Sequence, residues 1–549
     1  MANWSEKIRA YALKNAIEHE GKCQASAILN SLFHEGLEKE KIKEIMPLIN
    51  EEVKLINKLS LEEQKNLFAG LEKETDKRST RTGLRELENA KKGKVITRLA
   101  PEPSKYLHLG HALTYILNYS YAKKYKGKCK LRFEDCNPEK VSQEFIKENL
   151  DDIKNYLGIK PVSIRYVSDD MKKLYKYAEK LIKLGKAYMC FCPQEKLKEL
   201  REKGIECSCR EYDAKKNLSE WKKFLKNEYK KNEAVLRIKG NMQSTNYVMR
   251  DSVLFRHIEK EHFKHKKYKI WPMFDFYNPI EDHFMQVTHI LRSNEFDVRV
   301  ELQDYIKELL DLKKETILQY GRFNISGAVT QGREVRKLVE SGEYIGWDDP
   351  RLATLKSLKR RGIVKEALYE LAESIGLKKN QIEISFDMLA SINRKLIDKK
   401  ADRYSFIQTP IKLKIKNFPD IKEIEVKIHP EKQEKRKIAI KDVYIASNDY
   451  EKNIGKEIRL MHLFNIKLKK NNEADFTSIE NKDIDKINWV SEIVPIKIFM
   501  PDASWISGIG EIALKNLKPG SIIQFERFAF CRLDKINSAG ECEFWFSHK

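Results

Sequence analysis

Apolar residues recur along this chain in different patterns, and each pattern predicts a different architecture. Near the start, apolar side chains fall three or four residues apart, as at Ile8, Tyr11 and Ala12. This spacing is typical of amphipathic helices. A charged stretch that is poor in large apolar residues follows at 72–94 and is typical of a linker. We therefore predict a helical N-terminal region over residues 1–90.

Short apolar runs then alternate with helical spacing. Val95–Leu99, Leu131–Phe133 and Val162–Val167 are typical of buried strands, whereas Ile146–Leu157 carries its apolar residues at helical intervals. Strands that alternate with helices form parallel sheets, and ligands bind beyond the carboxyl ends of such strands. A ligand site is therefore expected just after Leu99.

The pattern changes again further along the chain. Residues 188–267 contain shorter strands and four cysteines, and the parallel sheet is expected to resume near Tyr268. The spacing predicts helices over Ile363–Lys400. After about Arg403 the period becomes two, so that isoleucine and leucine alternate with lysine in residues 411–416. This alternation predicts half-buried antiparallel strands, and the turns between them favour β-barrels.

Together these patterns predict a multidomain protein that combines α/β and all-β regions. The predicted segments are a helical extension with a linker (1–90), the first half of an α/β domain (91–187), an inserted domain (188–267), the second α/β half (268–320), a loop and helical region (321–402) and a β-barrel region (403–549).

The charge of the chain favours a polyanionic partner. Its 105 lysines and arginines exceed its 82 aspartates and glutamates, which gives a net charge of +23. Such an excess attracts nucleic acid. The alternative is a basic surface that reflects only a lysine-rich proteome, so charge supports a nucleic-acid partner without deciding for one.

The N-terminal sequence and the cysteine content predict a cytoplasmic protein. Residues 1–7 lack a basic segment followed by an apolar one, and the chain has no apolar run long enough to span a bilayer. Nine cysteines, an odd number in a long chain, are typical of reduced thiols in a reducing compartment. These features argue against a secreted disulfide-bonded protein and against a membrane partner.

Two histidines at the expected ligand site suit ATP. Pro101–His111 connects a predicted strand to a predicted helix and places His108 and His111 three residues apart on one helical face. Free N–H groups at a helix N-terminus attract phosphate. Gly110 has no Cβ and lets a flat ligand approach the backbone. The alternative is a pair of solvated histidines.

These residues resemble a known family. Pro101–His111 is similar to the HIGH motif of class I aminoacyl-tRNA synthetases in its glutamyl/glutaminyl version. Further matches follow in the order of the family, at Arg132–Pro138, Gly346–Leu352, Asn393–Asp398, Gln524–Phe528 and Phe544–Lys549. The last two resemble the barrel end of archaeal-type glutamyl-tRNA synthetases; bacterial glutamyl enzymes have helices there.

The resemblance implies a function for each segment. Residues 91–187 and 268–320 would form a Rossmann-type catalytic domain, and 188–267 would bind the acceptor end of tRNA. Residues 321–402 would contact the tRNA stem, and the β-barrel region 403–549 would read the anticodon. The implied enzyme is a monomer that ligates L-glutamate to tRNA-Glu with ATP and Mg²⁺.

The resemblance also implies roles for individual residues. His108 and His111 would act in catalysis by donating to phosphates, together with Arg333. Glu102 would lie near the terminal adenosine of tRNA. The ATP site would comprise Pro101, Leu107, His108, Gly110, His111 and Arg333.

The glutamate pocket would contain Arg98, Glu134, Phe274 and Arg292. Arg98 would bind a carboxylate, and Glu134 would hold the α-ammonium group; a surface arginine and a solvated acid are the alternatives. Phe274 stands where the family has tyrosine, so a pocket hydroxyl is missing, and Tyr277 offers one nearby. The alternative for Phe274 is an aromatic core residue.

Arg292 distinguishes glutamate from glutamine. It ends the stretch Thr288–Arg292, which resembles a motif of the family. Glutamyl enzymes carry arginine at the end of this motif, and glutaminyl enzymes carry a small residue. A guanidinium pairs with a carboxylate through two hydrogen bonds, which an amide cannot accept. Arg292 therefore favours glutamate over the alternative, a glutaminyl-tRNA synthetase. It could instead bond a neighbouring acid.

The family has a second catalytic loop, the KMSKS-like loop, which is expected here between residues 328 and 346 and departs from the family pattern. The lysine of that loop falls on Glu334. Arg333 or its neighbours Arg336 and Lys337 would instead supply the positive charge that draws out pyrophosphate. The alternative is an impaired site in a tRNA-binding paralogue. Lys105 also departs by replacing the usual glycine, and Cys136 by replacing threonine.

Two C-x-C pairs in the inserted segment suit a zinc ion. Four thiolates form a tetrahedral Zn²⁺ site, and related enzymes carry a zinc knuckle in this region. The alternative is four reduced thiols. The four cysteines are Cys190, Cys192, Cys207 and Cys209.

Overall fold

The computed structural model describes residues 4–19, 21–35, 37–71, 74–75, 84–326, 329 and 332–549. The chain divides into two compact units, Met1–Thr82 and Gly83–Lys549. Among the described residues, none of the helices combines the length and the apolar composition that crossing a membrane requires.

The first unit is built from helices. Its core contains the side chains of Ile8, Leu32 and Ile49, all fully or almost fully buried. Gln64 is also buried, and its amide nitrogen donates to the carbonyl oxygens of Gly21 and Ile56, both at 3.0 Å. The helices are α1 (Trp4–Glu18), α2 (Ala25–His34), α3 (Ile42–Ile56) and α4 (Leu61–Leu71).

The second unit begins with a three-stranded parallel sheet. The strands run in the order β1-β2-β3, as the alternating sequence pattern predicts. Helix α5 buries Leu113, Ile116 and Leu117 in the same core as the sheet. The elements of this part are β1 (Ile96–Leu99), α5 (Leu109–Lys124), β2 (Lys128–Phe133), α6 (Gln143–Asp151), β3 (Ile164–Tyr166) and α7 (Met171–Lys183).

An antiparallel sheet of four strands follows, in the order β4-β5-β6-β7. Its last strand pairs with β6 through Trp271 opposite Arg256, so this sheet continues beyond residue 267, where the parallel sheet was expected to resume. The elements are β4 (Ala187–Cys190), α8 (Gln194–Lys203), α9 (Ala214–Leu225), β5 (Val235–Ile238), β6 (Val253–His257) and β7 (Ile270–Pro272).

Parallel pairing returns with β8 and β9. The amide nitrogen of Thr288 donates to the carbonyl oxygen of Ile96 at 2.9 Å, which places β8 beside β1. The elements are α10 (Phe274–Phe284), β8 (His289–Ser293), α11 (Asp297–Leu310), β9 (Thr316–Tyr320), β10 (Phe323–Ile325) and α12 (Gly332–Glu340).

The next part is mostly helical but contains one short strand. The prediction of helices throughout Ile363–Lys400 is wrong at β11, where Ile382 and Ile384 flank Glu383 and the strand pairs with β10. Three residues with period two are too few to stand out between two helices. The elements are α13 (Leu355–Arg360), α14 (Lys365–Ile375), β11 (Ile382–Ile384) and α15 (Phe386–Ile397).

The remainder is rich in antiparallel strands, as predicted, and forms two large sheets. The seven-stranded sheet has the order β12-β24-β25-β26-β22-β23-β13, and the six-stranded sheet has the order β17-β14-β20-β19-β18-β21. Only Ser405 separates β12 from β13, the two edges of the larger sheet, so this sheet curls back on itself like a barrel. The strands are β12 (Asp402–Tyr404), β13 (Phe406–Gln408), β14 (Pro410–Lys416), β15 (Glu423–Lys427), β16 (Lys435–Ala439), β17 (Val443–Ala446), β18 (Glu457–Leu460), β19 (Asn465–Leu468), β20 (Glu473–Ser478), β21 (Lys486–Ile487), β22 (Ile493–Phe499), β23 (Trp505–Glu511), β24 (Ile522–Phe525), β25 (Ala529–Ile536) and β26 (Cys542–His548), with helix α16 (Ser447–Asn453).

Candidate active site

A cavity of about 740 Å³ opens beyond the carboxyl ends of β1, β2, β8 and β9. Cavities of this size hold small ligands. It brings together ten residues that the sequence predicts for one site, although they come from four separate stretches of the chain. These residues are Arg98, Pro101, Glu102, Leu107, His108, Gly110, His111, Glu134, Phe274 and Arg292.

The two histidines begin helix α5 and cap it. His108 precedes the helix, and its Nδ1 accepts from the amide nitrogen of Gly110 at 3.1 Å. Nδ1 of His111 accepts from the amide nitrogen of His108 at 3.2 Å. A Cβ at position 110 would lie 3.1 Å from the His108 ring, so glycine allows the ring to fold over the backbone. The predicted helix start is therefore also a site where side chains satisfy free backbone donors.

The capping determines which ring nitrogen of each histidine is available to a ligand. Burial is the main cause that lowers the pKa of His108 to about 3 and the pKa of His111 well below its ordinary value, so both rings are neutral near pH 7. A neutral ring whose Nδ1 accepts carries its proton on Nε2. Neither Nε2 has a partner among the described residues, so both rings can donate to phosphate oxygens in the cavity.

A buried carboxylate joins the two arginines behind the pocket. Oδ1 of Asp282 accepts from Nε of Arg98 at 3.2 Å and from Nη1 of Arg132 at 2.5 Å. Burial alone would raise the pKa of Asp282, but Arg132 and Arg98 lower it below its ordinary value. Asp282 therefore stays charged and fixes the position of both guanidinium groups.

Glu134 is held in place at the other side of the pocket. Its carboxylate accepts from Nη2 of Arg132 at 2.9 Å, from the amide of Asn278 at 3.2 Å and from the hydroxyl of Tyr277 at 3.5 Å. These three donors fix the position of the carboxylate. It can hold a ligand ammonium group at a fixed point.

Arg292 has two donors that are not used within the protein. Only 5% of the residue is exposed, and Nη1 donates to Oε1 of Gln303 at 3.0 Å. Nε and Nη2 are buried without a partner in the part of the chain that the structure describes. Burial, followed by repulsion from Arg98, lowers the pKa of Arg292 to about 10, so the group is charged at neutral pH. Two adjacent orphan N–H donors match the two oxygens of a carboxylate.

A chain of polar contacts supports Arg292. The amide nitrogen of Gln303 donates to Oδ1 of Asp275 at 3.3 Å, and Arg299 pairs with Oδ2 of the same carboxylate at 2.5 Å. Asp275 therefore orients Gln303, and Arg299 neutralises Asp275. The amide of Gln303 reaches Arg292 without bringing a negative charge to it.

The aromatic positions of the pocket lie on α10. Phe274 lines the cavity and has no hydroxyl, and its ring centroid lies 5.8 Å from that of Tyr277. The hydroxyl of Tyr277 reaches Glu134, as described above. Tyr277 thus places a hydroxyl inside the pocket one helical turn from Phe274.

Glu281 lies deeper on the same helix and is fully buried. Neither of its carboxyl oxygens has a hydrogen-bond partner among the described residues, and Nε of Arg165 lies 3.7 Å from Oε2. Burial raises the pKa of Glu281 to about 8, against the lowering effect of Arg132. Glu281 is therefore mainly protonated at pH 7.

The side chain of Arg333 lies outside the described part of the structure. The sequence predicts a loop here, but the backbone places this residue in the first turn of helix α12. Glu334 next to it is exposed, and Nη2 of Arg336 donates to the carbonyl oxygen of Ser104 at 3.1 Å. The start of α12 therefore contacts the loop that connects β1 to α5.

The four predicted cysteine ligands come together in the inserted domain. Their sulfur atoms all lie within 4.8 Å of one another, with 3.7 Å between Cys190 and Cys207 and 4.0 Å between Cys192 and Cys209. A tetrahedral site with Zn–S bonds of about 2.3 Å has sulfur atoms roughly 3.8 Å apart. The cluster therefore fits a zinc ion.

Several residues that support the site do not follow from the sequence. They lie on α10 and α11 and include Asn278, Asp282 and Gln303. Nearly every residue of α10 from Asp275 to Asp282 is buried, whether polar or apolar. The helix consequently lacks the polar face that would separate site residues from core residues.

Comparison with known proteins gives matches over most of the chain. Residues 94–399 match the family model described as the catalytic domain of class I tRNA synthetases (E and Q). Residues 401–485 and 462–534 match two models of the anticodon-binding domain of that class.

Curated relatives match nearly end to end. A protein named glutamate–tRNA ligase from Pyrococcus abyssi is 40% identical over 555 residues, which are 96% of this chain and 96% of the relative. A protein with the same name from Methanocaldococcus jannaschii is 37% identical over 97% of this chain and 98% of its own length. A crystal structure of a glutamate tRNA ligase from Elizabethkingia meningosepticum aligns with 55% of this chain and 70% of that chain, at 18% identity and a TM-score of 0.41.

Proposed function

Because the chain belongs to the class I tRNA synthetases of the glutamate and glutamine type, we propose that it is a glutamate–tRNA ligase that attaches L-glutamate to tRNA-Glu through a glutamyl-adenylate. The observation that carries this choice of amino acid is the pair of buried, unpartnered donors on Arg292. A γ-carboxylate satisfies both donors, whereas the NH₂ group of glutamine would face them donor to donor. The names of the full-length relatives also support glutamate.

The proposed reaction has two steps. An oxygen of the glutamate α-carboxylate attacks the α-phosphorus of ATP, the bond to the β-phosphate oxygen breaks, and pyrophosphate leaves with the electron pair. A hydroxyl of the terminal adenosine of tRNA then attacks the acyl carbon, the bond from this carbon to the phosphate oxygen breaks, and AMP leaves with the electron pair and takes up the hydroxyl proton. Positioning and charge stabilisation accelerate such steps without an enzyme nucleophile.

The residues of the cavity have the following proposed roles. Glu134 holds the α-ammonium group, and Arg98 and Arg292 bind the γ-carboxylate. His108 and His111 donate from Nε2 to phosphate oxygens, and Glu102 lies near the terminal adenosine. Mg²⁺ bound to the phosphates supplies further positive charge.

Arg333, in the first turn of α12, is proposed as the cation that the family's second catalytic loop supplies. The lysine expected there is replaced by Glu334, which is exposed in the same helix. Arg336 and Lys337 are the neighbouring candidates.

The remaining segments are proposed to bind tRNA. Residues 188–267 would hold the acceptor end, 321–402 the stem and 403–549 the anticodon, and the net charge of +23 suits this partner. The four cysteines of the insertion are proposed to hold one zinc ion, which would brace this domain structurally. None of the nine cysteines, all of which lie in the described part of the chain, forms a disulfide, which suits the reducing cytoplasm, and the enzyme is proposed to be a monomer.

Exchange of pyrophosphate into ATP, measured with glutamate or glutamine and with or without tRNA, tests this proposal. We expect exchange with glutamate in the presence of tRNA, and charging of tRNA-Glu. Exchange with glutamine alone would instead identify a glutaminyl enzyme. Absence of exchange with every amino acid in the presence of tRNA, together with retained tRNA binding, would identify a non-catalytic paralogue.

A further inference from the structure

Lys105 lies at the phosphate end of the candidate active site. It belongs to the loop between β1 and α5 and lines the same cavity as His108 and His111. Burial is the main cause of the lowered pKa of both rings, and the charge of Lys105 lowers it further. Lys105 and the two histidines therefore border one space that a ligand can occupy.

The charge of Lys105 is not neutralised by a direct partner. No carboxylate oxygen of the described residues lies within 4.0 Å of its Nζ, although the same structure contains many lysine–carboxylate pairs at shorter distances. Burial lowers the pKa of Lys105, while Glu102 and Glu295 raise it and Arg322 opposes them. A partly buried cation without a paired acid is costly to the free protein and is favoured when an anion binds beside it.

The stem of the side chain is held against helix α12. A Cβ at Gly332 would lie 2.8 Å from Cδ of Lys105, so the lysine packs directly on the backbone at the start of this helix. Arg336 of α12 binds the carbonyl oxygen of Ser104, the residue next to Lys105, at 3.1 Å. These two contacts hold the lysine where the start of α12 meets the loop between β1 and α5.

We infer that Lys105 is a catalytic residue that contacts the departing pyrophosphate during adenylate formation. As the bond between the α-phosphorus and the bridging oxygen breaks, the electron pair and negative charge move onto pyrophosphate, and the ammonium group stabilises this charge. A fixed cation on the loop before α5 thereby compensates for Glu334, the exposed α12 residue that stands where the family has a lysine. This inference rests on the proposed function, because it needs ATP cleavage between the α- and β-phosphates.

Three variants of the full-length protein test the inference. Lys105→Met keeps the packing on Gly332 and removes the charge, Lys105→Ala removes both, and Lys105→Arg restores a cation. Lys147→Ala, at an exposed lysine of α6, is the matched control. The measurements are pyrophosphate exchange with glutamate and tRNA, and equilibrium binding of ATP and of a non-hydrolysable glutamyl-adenylate analogue, which has no pyrophosphate.

We expect Lys105→Met and Lys105→Ala to slow exchange about 10- to 1000-fold, the usual effect of losing one charge-stabilising donor, and Lys105→Arg to recover part of the rate. Both neutral variants should bind ATP more weakly and bind the adenylate analogue as the wild type does. The KM values for glutamate and tRNA should not change.

Three results would overturn the inference. The first is pyrophosphate exchange within about twofold of wild type in Lys105→Met. The second is an equal loss of ATP binding and analogue binding, which would indicate a structural role. The third is a raised KM for tRNA with normal exchange, which would indicate a tRNA contact. Wild-type exchange tests the proposed function separately. If the wild type catalyses pyrophosphate exchange with glutamate and the Lys105 variants exchange at the same rate as Lys147→Ala, the inferred role of Lys105 is wrong and the proposed function stands.

Discussion

Gln303 accepts a hydrogen bond from Arg292, with 3.0 Å between Oε1 of the amide and Nη1 of the guanidinium. The partner of this buried arginine is thus neutral. An amide fixes the orientation of the guanidinium without neutralising its charge, so a ligand carboxylate can still pair with it. A carboxylate at position 303 would fix the orientation and also neutralise the charge. The identity of residue 303 therefore determines how strongly Arg292 attracts a substrate carboxylate.

Gln303→Glu should weaken selection of glutamate. The new carboxylate would pair with Arg292 and compete with the substrate, so we expect kcat/KM for glutamate to fall at least about 100-fold, which corresponds to roughly 2.7 kcal/mol. Steady-state charging kinetics would measure this change. Gln143→Glu makes the same substitution at an exposed position of α6 and should behave as wild type. Unchanged kinetics in Gln303→Glu would show that Arg292 does not depend on a neutral partner.

Arg292→Cys should reverse the preference between the two amino acids. Leaving a buried charge unpaired costs several kcal/mol, so the wild type should prefer glutamate by at least roughly a thousandfold. The variant should lose most activity with glutamate and gain relative preference for glutamine. Pyrophosphate exchange with both amino acids is the measurement. Strong selection of glutamate by the variant would assign Arg292 a structural role.

Arg333→Ala should slow adenylate formation about 10- to 1000-fold, if this arginine supplies the positive charge that draws out pyrophosphate. Binding of tRNA should change little, because the effect is confined to the phosphate end of the site. The idea fails if Arg333→Ala, Arg336→Ala and Lys337→Ala all exchange pyrophosphate at the wild-type rate.

The inserted domain should contain about one zinc ion per chain, and Cys207→Ser combined with Cys209→Ser should lose it. Loss should loosen the domain, because binding of structural zinc contributes to the free energy of folding. Metal analysis and limited proteolysis of protein purified without chelator would measure both effects. Cys23→Ser alters a buried cysteine of the first unit and should retain the metal. Protein without zinc in this preparation would favour four reduced thiols.

Glu281→Gln should flatten the dependence of stability on pH. The pKa of Glu281 is about 8 in the folded protein and near 4.5 when it is exposed, so the folded state binds more protons between these values. Its contribution to the free energy of unfolding is present below about pH 4.5 and is lost as the pH rises to about 8. Because one pKa unit is worth about 1.4 kcal/mol, the loss should be on the order of a few kcal/mol.

Thermal unfolding of Glu281→Gln and wild type across this pH range would measure the difference. Glu195→Gln, at an exposed position of α8, should follow the wild-type curve. Parallel curves for Glu281→Gln and wild type would contradict a raised pKa.

The sequence predicts the ligand-facing residues better than the residues behind them. His108 and Gly110 lie in a continuous strand–loop–helix segment, where local spacing alone fixes which atoms share a face. Arg98 and Arg292 lie near the carboxyl ends of β1 and β8, two strands that lie side by side, and ligands are expected beyond such ends. Such relations are local or follow from the fold class.

The supporting residues depend on tertiary packing. Gln303 and Asp275 lie on different helices, and their contact depends on how α10 and α11 pack. The sequence also does not predict the sheet to which β7 belongs, because a run of three buried residues fits a parallel and an antiparallel neighbour equally well. Short elements and buried polar contacts are therefore where sequence patterns carry the least information.

Asp282 has a consequence for the charge balance of the groups around it. It binds Arg98 and Arg132, Glu134 also binds Arg132, and Arg292 lines the same cavity as Arg98 and Glu134. These three guanidinium groups and two carboxylates together carry one surplus positive charge. Glutamate, with two carboxylates and one ammonium group, brings one negative charge that offsets this surplus. Glutamine is neutral overall and would leave the surplus in place, so we expect total charge, as well as hydrogen-bond direction, to favour glutamate.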